Sequence, residues 1–333
     1  MSEKRPGPTK GIRRKTRITA AFLDARGETR SIARRLWGGK GMRTGLFVLT
    51  GMGILLAPSA WAHGPSDSTL VSNEVFQGEL TLWFGGGRLD YREEISLDPV
   101  ESDFEAAYGE VGARYAYAGR SGLKLRLGVD AWATDNDTER WRRNGEPVQR
   151  NRLDVSGVEL RGECGLDILR RRPEELNVWL GLGYRAQRFE RDQFRFLNRE
   201  AAVLDELGTV QEDYALGLFR IGLDAGVHVG PKWMVRGAVG VGLIFFSEAE
   251  NELLGRTIDG DGGVTVEAGV DVSYAVADRH TVGVGFRYDF QELDGDTERG
   301  LFQIDGNLLQ AAVEWPDNEL EHYAFDMFWR VQL

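Results

Sequence analysis

Beyond residue 78, apolar and polar positions alternate in one stretch after another. In SGLKLRLGVDAWA, Leu123, Leu125, Leu127, Val129 and Ala131 share one face, and Lys124, Arg126, Gly128 and Asp130 share the other. A period of two is the mark of a β-strand, whose successive side chains point to opposite sides. The pattern returns in YGEVGARYAYA, VELRGECGLDI, NVWLGLGYRAQ, LFRIGLDAGVHV, KWMVRGAVGVGLIF, VTVEAGVDVSYAV and TVGVGFRYDFQ. It is blurred by glycine in GELTLWFGGG. It ends the chain in HYAFDMFWRVQL, where Phe328 alone breaks the alternation. These segments predict about ten strands of roughly 10–14 residues, enough to cross a bilayer at a tilt of about 45° and longer than the usual strand of a soluble protein.

The connections alternate too. Short turns at 119–122, 170–175, 230–232 and 277–280 are interleaved with long polar stretches near 92–104, 134–152, 191–212, 248–262 and 293–320. Short-long alternation predicts an all-β fold: a transmembrane antiparallel up-and-down β-barrel of about ten strands, with short periplasmic turns and long extracellular loops. An even strand count returns both termini to the periplasm. Aromatics near the strand ends, among them Trp83, Trp132, Trp179, Trp233, Tyr274, Tyr323 and Trp329, are expected in girdles at the two interfaces.

Composition agrees once the barrel is allowed for. The chain is 42% hydrophobic and 28% charged, and its mean hydropathy is −0.34. A barrel dilutes its apolar face with lumen residues. The single cysteine, Cys164, excludes an internal disulfide and reads as a small apolar residue. MRTGLFVLTGMGILLAPSAWA (42–62) has a basic start, a short apolar run and a small-residue Ala60-Trp61-Ala62 end, as a secretory signal peptide does. The expected organisation is therefore a signal peptide with a basic extension over 1–62 (Met42 being an alternative start), a periplasmic tail over 63–75, and a barrel over 76–333. Of 41 basic and 52 acidic residues, 1–62 hold 13 and 3, which leaves 28 and 49 for the remainder. Such an acidic chain does not suit nucleic acid, which binds through neutralised phosphates.

If the apolar faces meet lipid, the polar faces line a lumen. That places inside Glu110 and Arg114; Lys124, Arg126 and Asp130; Glu159, Arg161, Glu163 and Asp167; Arg185; Arg220 and Asp224; Arg236; Glu267 and Asp271; Arg287 and Asp289; Asp326 and Arg330. Their signs nearly balance. A soluble core could not hold so many unpaired ions, at several kcal/mol each, but in a cylinder they can neutralise one another. A lumen of one sign would argue for a selective pore. Mixed charge argues for a polar plug.

This architecture resembles the Gram-negative outer-membrane β-barrel proteins over essentially the whole chain after residue 62. One departure is Leu333, where the family usually ends in an aromatic residue. Ten strands with large outer loops resemble the omptin proteases, which implies an acidic pair facing an Asp-x-His pair at the outer rim. TDNDTERW supplies Asp135 and Asp137, and only His322, beside Glu321, could reach that rim, so the omptin dyad is not reproduced. No cofactor or metal site is expected. Expected partners are outer-membrane lipid and lipopolysaccharide, the barrel-assembly machinery through the last strand, and divalent cations at the acidic loops. The basic stretch ERWRRNGEPVQRNR (139–152) could grip lipid phosphates or pair with neighbouring acids. The reading is a non-enzymatic barrel that binds at the surface or envelope, against a small channel for solutes or hydrophobic compounds and an omptin-like surface hydrolase.

Overall fold

The computed structural model describes residues 77–95, 100–119, 122–169, 174–197, 208–252, 256–304 and 307–333. The expected signal peptide and the expected 63–75 tail lie outside these residues. In chain order the strands are β1 (Gln77–Ile95), β2 (Val100–Ala118), β3 (Leu123–Thr134), β4 (Asp137–Arg143), β5 (Glu146–Asp167), β6 (Glu175–Phe196), β7 (Val210–His228), β8 (Trp233–Asn251), β9 (Arg256–Asp259), β10 (Gly262–Ala277), β11 (His280–Asp294), β12 (Thr297–Ile304), β13 (Asn307–Glu314) and β14 (Asp317–Gln332).

Ten of them, β1, β2, β3, β5, β6, β7, β8, β10, β11 and β14, pair antiparallel with their neighbours, and β1 pairs with both β14 and β2, which closes the barrel. Closure leaves no open edge in the lipid, as a spanning sheet requires. β4 pairs with β5 and with the top of β2, continuing the stave begun by β3. β9 continues β10 in the same way against β8. β12 and β13 form a separate hairpin.

The strands are longer than the sequence pattern suggests. Much of 92–104, 134–152, 191–212 and 248–262 is strand, turned at Asn144-Gly145 by two positive-φ residues that suit a tight hairpin. A 19-residue strand such as β1 rises about 63 Å along its axis, or about 44 Å at a 45° tilt. The hydrocarbon core is about 30 Å thick, so the barrel projects beyond it at the long-hairpin end.

On β1 and β5 polarity inverts at that boundary without a change of register. Low on β5, Leu160 and Leu166 point outward, 50% and 52% exposed, while Glu159 points in and is wholly buried. Higher on the same strand Leu153 and Val155 point in and are buried. On β1, Phe84 faces out below, whereas Leu89 and Tyr91 face in above, between outward Arg88, Asp90 and Arg92. The lower band, with Phe325, Met327 and Leu182 also outward, is an apolar surface fit for acyl chains. The upper half is built like a water-soluble barrel: apolar inside, charged outside.

The ring residues divide. Trp233–Tyr274, His280–Trp329 and Tyr288–Tyr323 pair on the outer surface at 4.9, 5.7 and 5.2 Å, as interface girdles should. Trp83, Trp132 and Trp179, expected there as well, instead point into the lumen and line its cavity. Each lies flat over the glycine directly opposite on a neighbouring strand: Trp83 over Gly112, Trp132 over Gly157 and Trp179 over Gly165. Phe328, the break in the terminal alternation, lies on Gly283 in the same manner. A Cβ at any of these glycines would fall inside the ring. We expect Gly157→Ala to lower the urea stability of the refolded barrel by about 1–3 kcal/mol, the usual range for overpacking. Gly109→Ala, where an added Cβ meets nothing, should be nearly neutral in the same titration.

Candidate functional site

The lumen charges meet across the cylinder. Arg126 of β3 pairs with Asp224 of β7 and, at 3.9 Å, with Glu163. Arg161 of β5 reaches Glu267 of β10 at 3.3 Å, Glu159 at 3.1 Å and Asp130 at 3.5 Å. Arg185 of β6 holds Glu159 at 2.7 Å and Asp289 of β11 at 3.0 Å. Arg220 joins Glu159 at 2.8 Å and Glu267 at 2.5 Å. Arg287 binds Asp326 at 2.6 Å and also Glu110. Glu159, at 0% exposure, is thus shared by three guanidinium groups.

The remaining expected lumen residues sit toward the short-turn end. Arg330 pairs with Glu79 at 3.1 Å, Arg236 with Glu175 at 3.3 Å, and Lys124 with Glu175 at 4.0 Å. Asp167 accepts the Leu169 backbone N–H at 3.1 Å. Asp271 has a buried Oδ1 without a partner. Glu79 and Glu175 escaped the sequence reading because they start their strands, where glycine or turn residues blur the alternation.

Aromatic faces complete this network. Arg126 stacks on Trp179 at 3.4 Å, Arg287 lies over Trp83 at 5.5 Å, Arg185 over Trp132 at 5.6 Å, and Arg330 over Phe328 at 5.1 Å. The unit repeats four times: a glycine bed, a ring, a guanidinium, then a carboxylate. Ten strands enclose more width than an eight-stranded barrel, which single side chains just fill. Long arginines lying on rings span the extra distance. Cation–π contacts contribute roughly 0.5–2 kcal/mol each as water is removed.

Above the network the interior turns apolar. Leu89, Leu153, Leu216, Leu218, Leu320 and Phe189 are all at most 2% exposed. Ring contacts carry this layer across the lumen: Tyr91 of β1 to Phe189 of β6 at 4.9 Å, Phe189 to Tyr214 of β7 at 5.0 Å, and Tyr214 to Trp315 at 5.2 Å. His322 lies beneath it, 8% exposed, against Tyr108 at 5.1 Å and Trp132 at 5.4 Å. Asp135 and Asp137 are exposed at the break between β3 and β4. Among the described residues no hydrogen bond or ion pair joins either of them to His322. The three proposed catalytic candidates are therefore not assembled.

A second charged cluster caps the apolar layer, outside the membrane band. Arg191 of β6 binds Glu93 of β1 at 2.7 Å, Glu139 of β4 at 2.8 Å and Glu212 of β7 at 2.5 Å. Asn151 donates to Glu139 at 2.6 Å and Tyr91 to Glu93 at 2.8 Å. In the sequence pattern Glu93, Glu139, Arg191 and Glu212 fall in the long polar stretches expected to be loops. The signal that could have found them is Leu89 and Tyr91 alternating with Arg88, Asp90 and Arg92, which puts Glu93 on the inward face. Nearby outer-wall charges pair locally, Arg142 with Asp103 at 2.5 Å and Arg188 with Asp213 at 2.8 Å.

Among the solved structures similar to this chain are the following three. The outer membrane protease OmpT of Escherichia coli aligns at 11% identity and a TM-score of 0.57, over 80% of this chain and 100% of that one. The translocator domain of the autotransporter NalP of Neisseria meningitidis aligns at 11% identity and 0.38, over 95% and 97%. The transport unit of the autotransporter AIDA-I of E. coli aligns at 10% identity and 0.35, over 84% and 96%. The fold is that of outer-membrane barrels. Its ten-stranded architecture is omptin-like. No protein-family model and no curated protein sequence matches the chain.

Two outcomes follow from these clusters. Arg185→Met removes the bridge between Glu159 and Asp289, and urea titration of the refolded barrel should show a loss of about 3–5 kcal/mol, as for other broken buried pairs. Burial, with Glu212 and Glu139 adding, raises the Glu93 carboxyl from 4.5 to about 7 against the pull of Arg191. The folded state therefore holds that proton more tightly than the unfolded chain. Its stabilisation is complete below about pH 4.5 and is lost as pH rises through about 7. The projecting half should resist protease better at pH 5 than at pH 8, and Glu93→Gln should erase the difference.

Proposed function

We propose that the chain is an outer-membrane barrel that neither conducts nor hydrolyses, and that its projecting half is a binding face at the cell surface. The observation that carries this reading is the apolar layer from Tyr91 through Phe189 and Tyr214 to Trp315, because a solute path needs polar or hydrated space through the whole bore. Mixed lumen charge supports it further. A hydrolase is disfavoured by a histidine packed under that layer and by aspartates that stand apart from it, since general-base chemistry requires reach to the substrate.

In this reading the outer wall of the projecting half meets the partners at the cell surface. Arg150, Arg152 and Arg195, near the β4–β5 hairpin, are the groups available for lipid phosphates such as those of lipopolysaccharide, whereas Arg140 and Arg142 already face Asp103. The acidic stretch of β1, β11 and β14 with Glu94, Glu292, Asp294, Asp317 and Glu319 is where divalent cations would gather weakly. β14 is the strand for the assembly machinery to read. Planar-bilayer recording of the purified chain tests the central claim: no stable conductance steps are expected at any voltage, and well-resolved steps from the wild-type chain would favour the channel instead. Phe189→Ala combined with Leu218→Ala should introduce flickering leak, since the layer loses two of its fillers.

A further inference from the structure

Below the apolar layer the lumen holds a cavity of about 260 Å³. One side of it is lined by small residues that leave backbone bare, among them Gly222, Gly240 and Gly269. Four guanidinium groups line it toward the short-turn end: Arg114, Arg126, Arg236 and Arg330. Three have carboxylates, Arg126 with Asp224, Arg236 with Glu175, and Arg330 with Glu79. Arg114 has none. Among the described residues it makes no hydrogen bond or ion pair, and the charges that act on it most are those of Arg126, Arg330 and Arg236, opposed by Glu79, which is already bound to Arg330.

Donors are in local surplus. Arg114 is partly buried and unpaired, while the Nε of Arg236 and the Nε1 of Trp83 are buried without an acceptor, and all three residues line the cavity. A buried donor left unmade is unfavourable, and a guanidinium is most strongly satisfied by a two-pronged contact to an oxyanion. Water takes about 30 Å³ per molecule in the liquid, so the space suits an ion of four or five heavy atoms with water around it. Asp271, with its unpaired Oδ1, stands opposite Arg236 on β10 and bounds the site on that side, so the anion belongs nearer Arg114.

We infer that Arg114 anchors a small-oxyanion site in the lower lumen, taking inorganic phosphate, sulfate or a small carboxylate and open only to the short-turn end. The apolar layer blocks approach from the other end, and Glu79 and Glu175, partly exposed at 27% and 34%, mark the mouth. Both are neutralised there by Arg330, Arg236 and Lys124. The site uses the closed outer end only to set the direction of entry. Its anion binding and the absence of conductance can therefore fail separately.

The full chain, purified in detergent, is titrated with inorganic phosphate and, at matched ionic strength, with chloride, while thermal unfolding is followed by tryptophan fluorescence. A saturable rise in midpoint is expected with phosphate and none with chloride. Parallel titrations with sulfate and acetate separate tetrahedral from planar anions. Arg114→Gln should abolish the phosphate shift. An equal shift in chloride, or one that persists in Arg114→Gln, overturns the assignment. Should that variant not fold, Glu79→Gln frees Arg330 toward the site and should tighten phosphate binding several-fold. Unchanged or weaker binding there overturns the assignment as well.

Discussion

A guanidinium taken out of water must be given carboxylates and ring faces in exchange, and this barrel's interior is organised around that need. Arg126, Arg185 and Arg287 each reach acids on other strands while resting on a tryptophan, and each tryptophan rests on a glycine. Remove the glycine's bareness and the ring cannot lie flat. Tilt the ring and the arginine no longer spans the bore. The ion pairs are thus not ornaments on a finished cylinder: with their tryptophans they fill its width in the lower half, as leucines and aromatic rings fill it above.

The second constraint is the solvent on the far side of each strand. On β1 and β5 the same backbone, in one register, meets lipid low down and water higher up, so the identity of the inward residue must invert. Glu159 and Leu153 sit six residues apart on β5 and face the same way. One belongs to a salt-bridge layer, the other to a dry plug. Where hairpins grow long enough to leave the bilayer, burial of apolar surface resumes its ordinary role in holding them together. A bulge that skips Phe245 then keeps Ile244 and Ala249 both facing in.

The lower half was legible because alternation there is strong and its apolar face continuous: Leu123 to Ala131 on β3 declare the lipid side, and Lys124 to Asp130 the lumen. The upper half was not, because inverted polarity with charges at every second position reads as a polar loop. Arg191 and Glu93 are separated by about a hundred residues, and nothing local marks them as partners. The inward tryptophans were hidden for a different reason. A ring near a strand end fits a girdle equally well, and only the facing glycine, which is set by strand pairing, distinguishes the two. Of the catalytic candidates, Asp135 and Asp137 were legible as exposed acids, while the packing around His322 depends on Tyr108 and Trp132 from other strands.

The inversion also acts as a draught mark. Sliding the barrel outward by one strand repeat, about 6.6 Å along the strand, would lift Phe325 and Phe84 into water. Sliding it inward would press Arg88, Asp90 and Glu321 among acyl chains. Either displacement is opposed on every stave at once, so the vertical seat and the tilt of the molecule are set by its own wall, without any tether to anchor it.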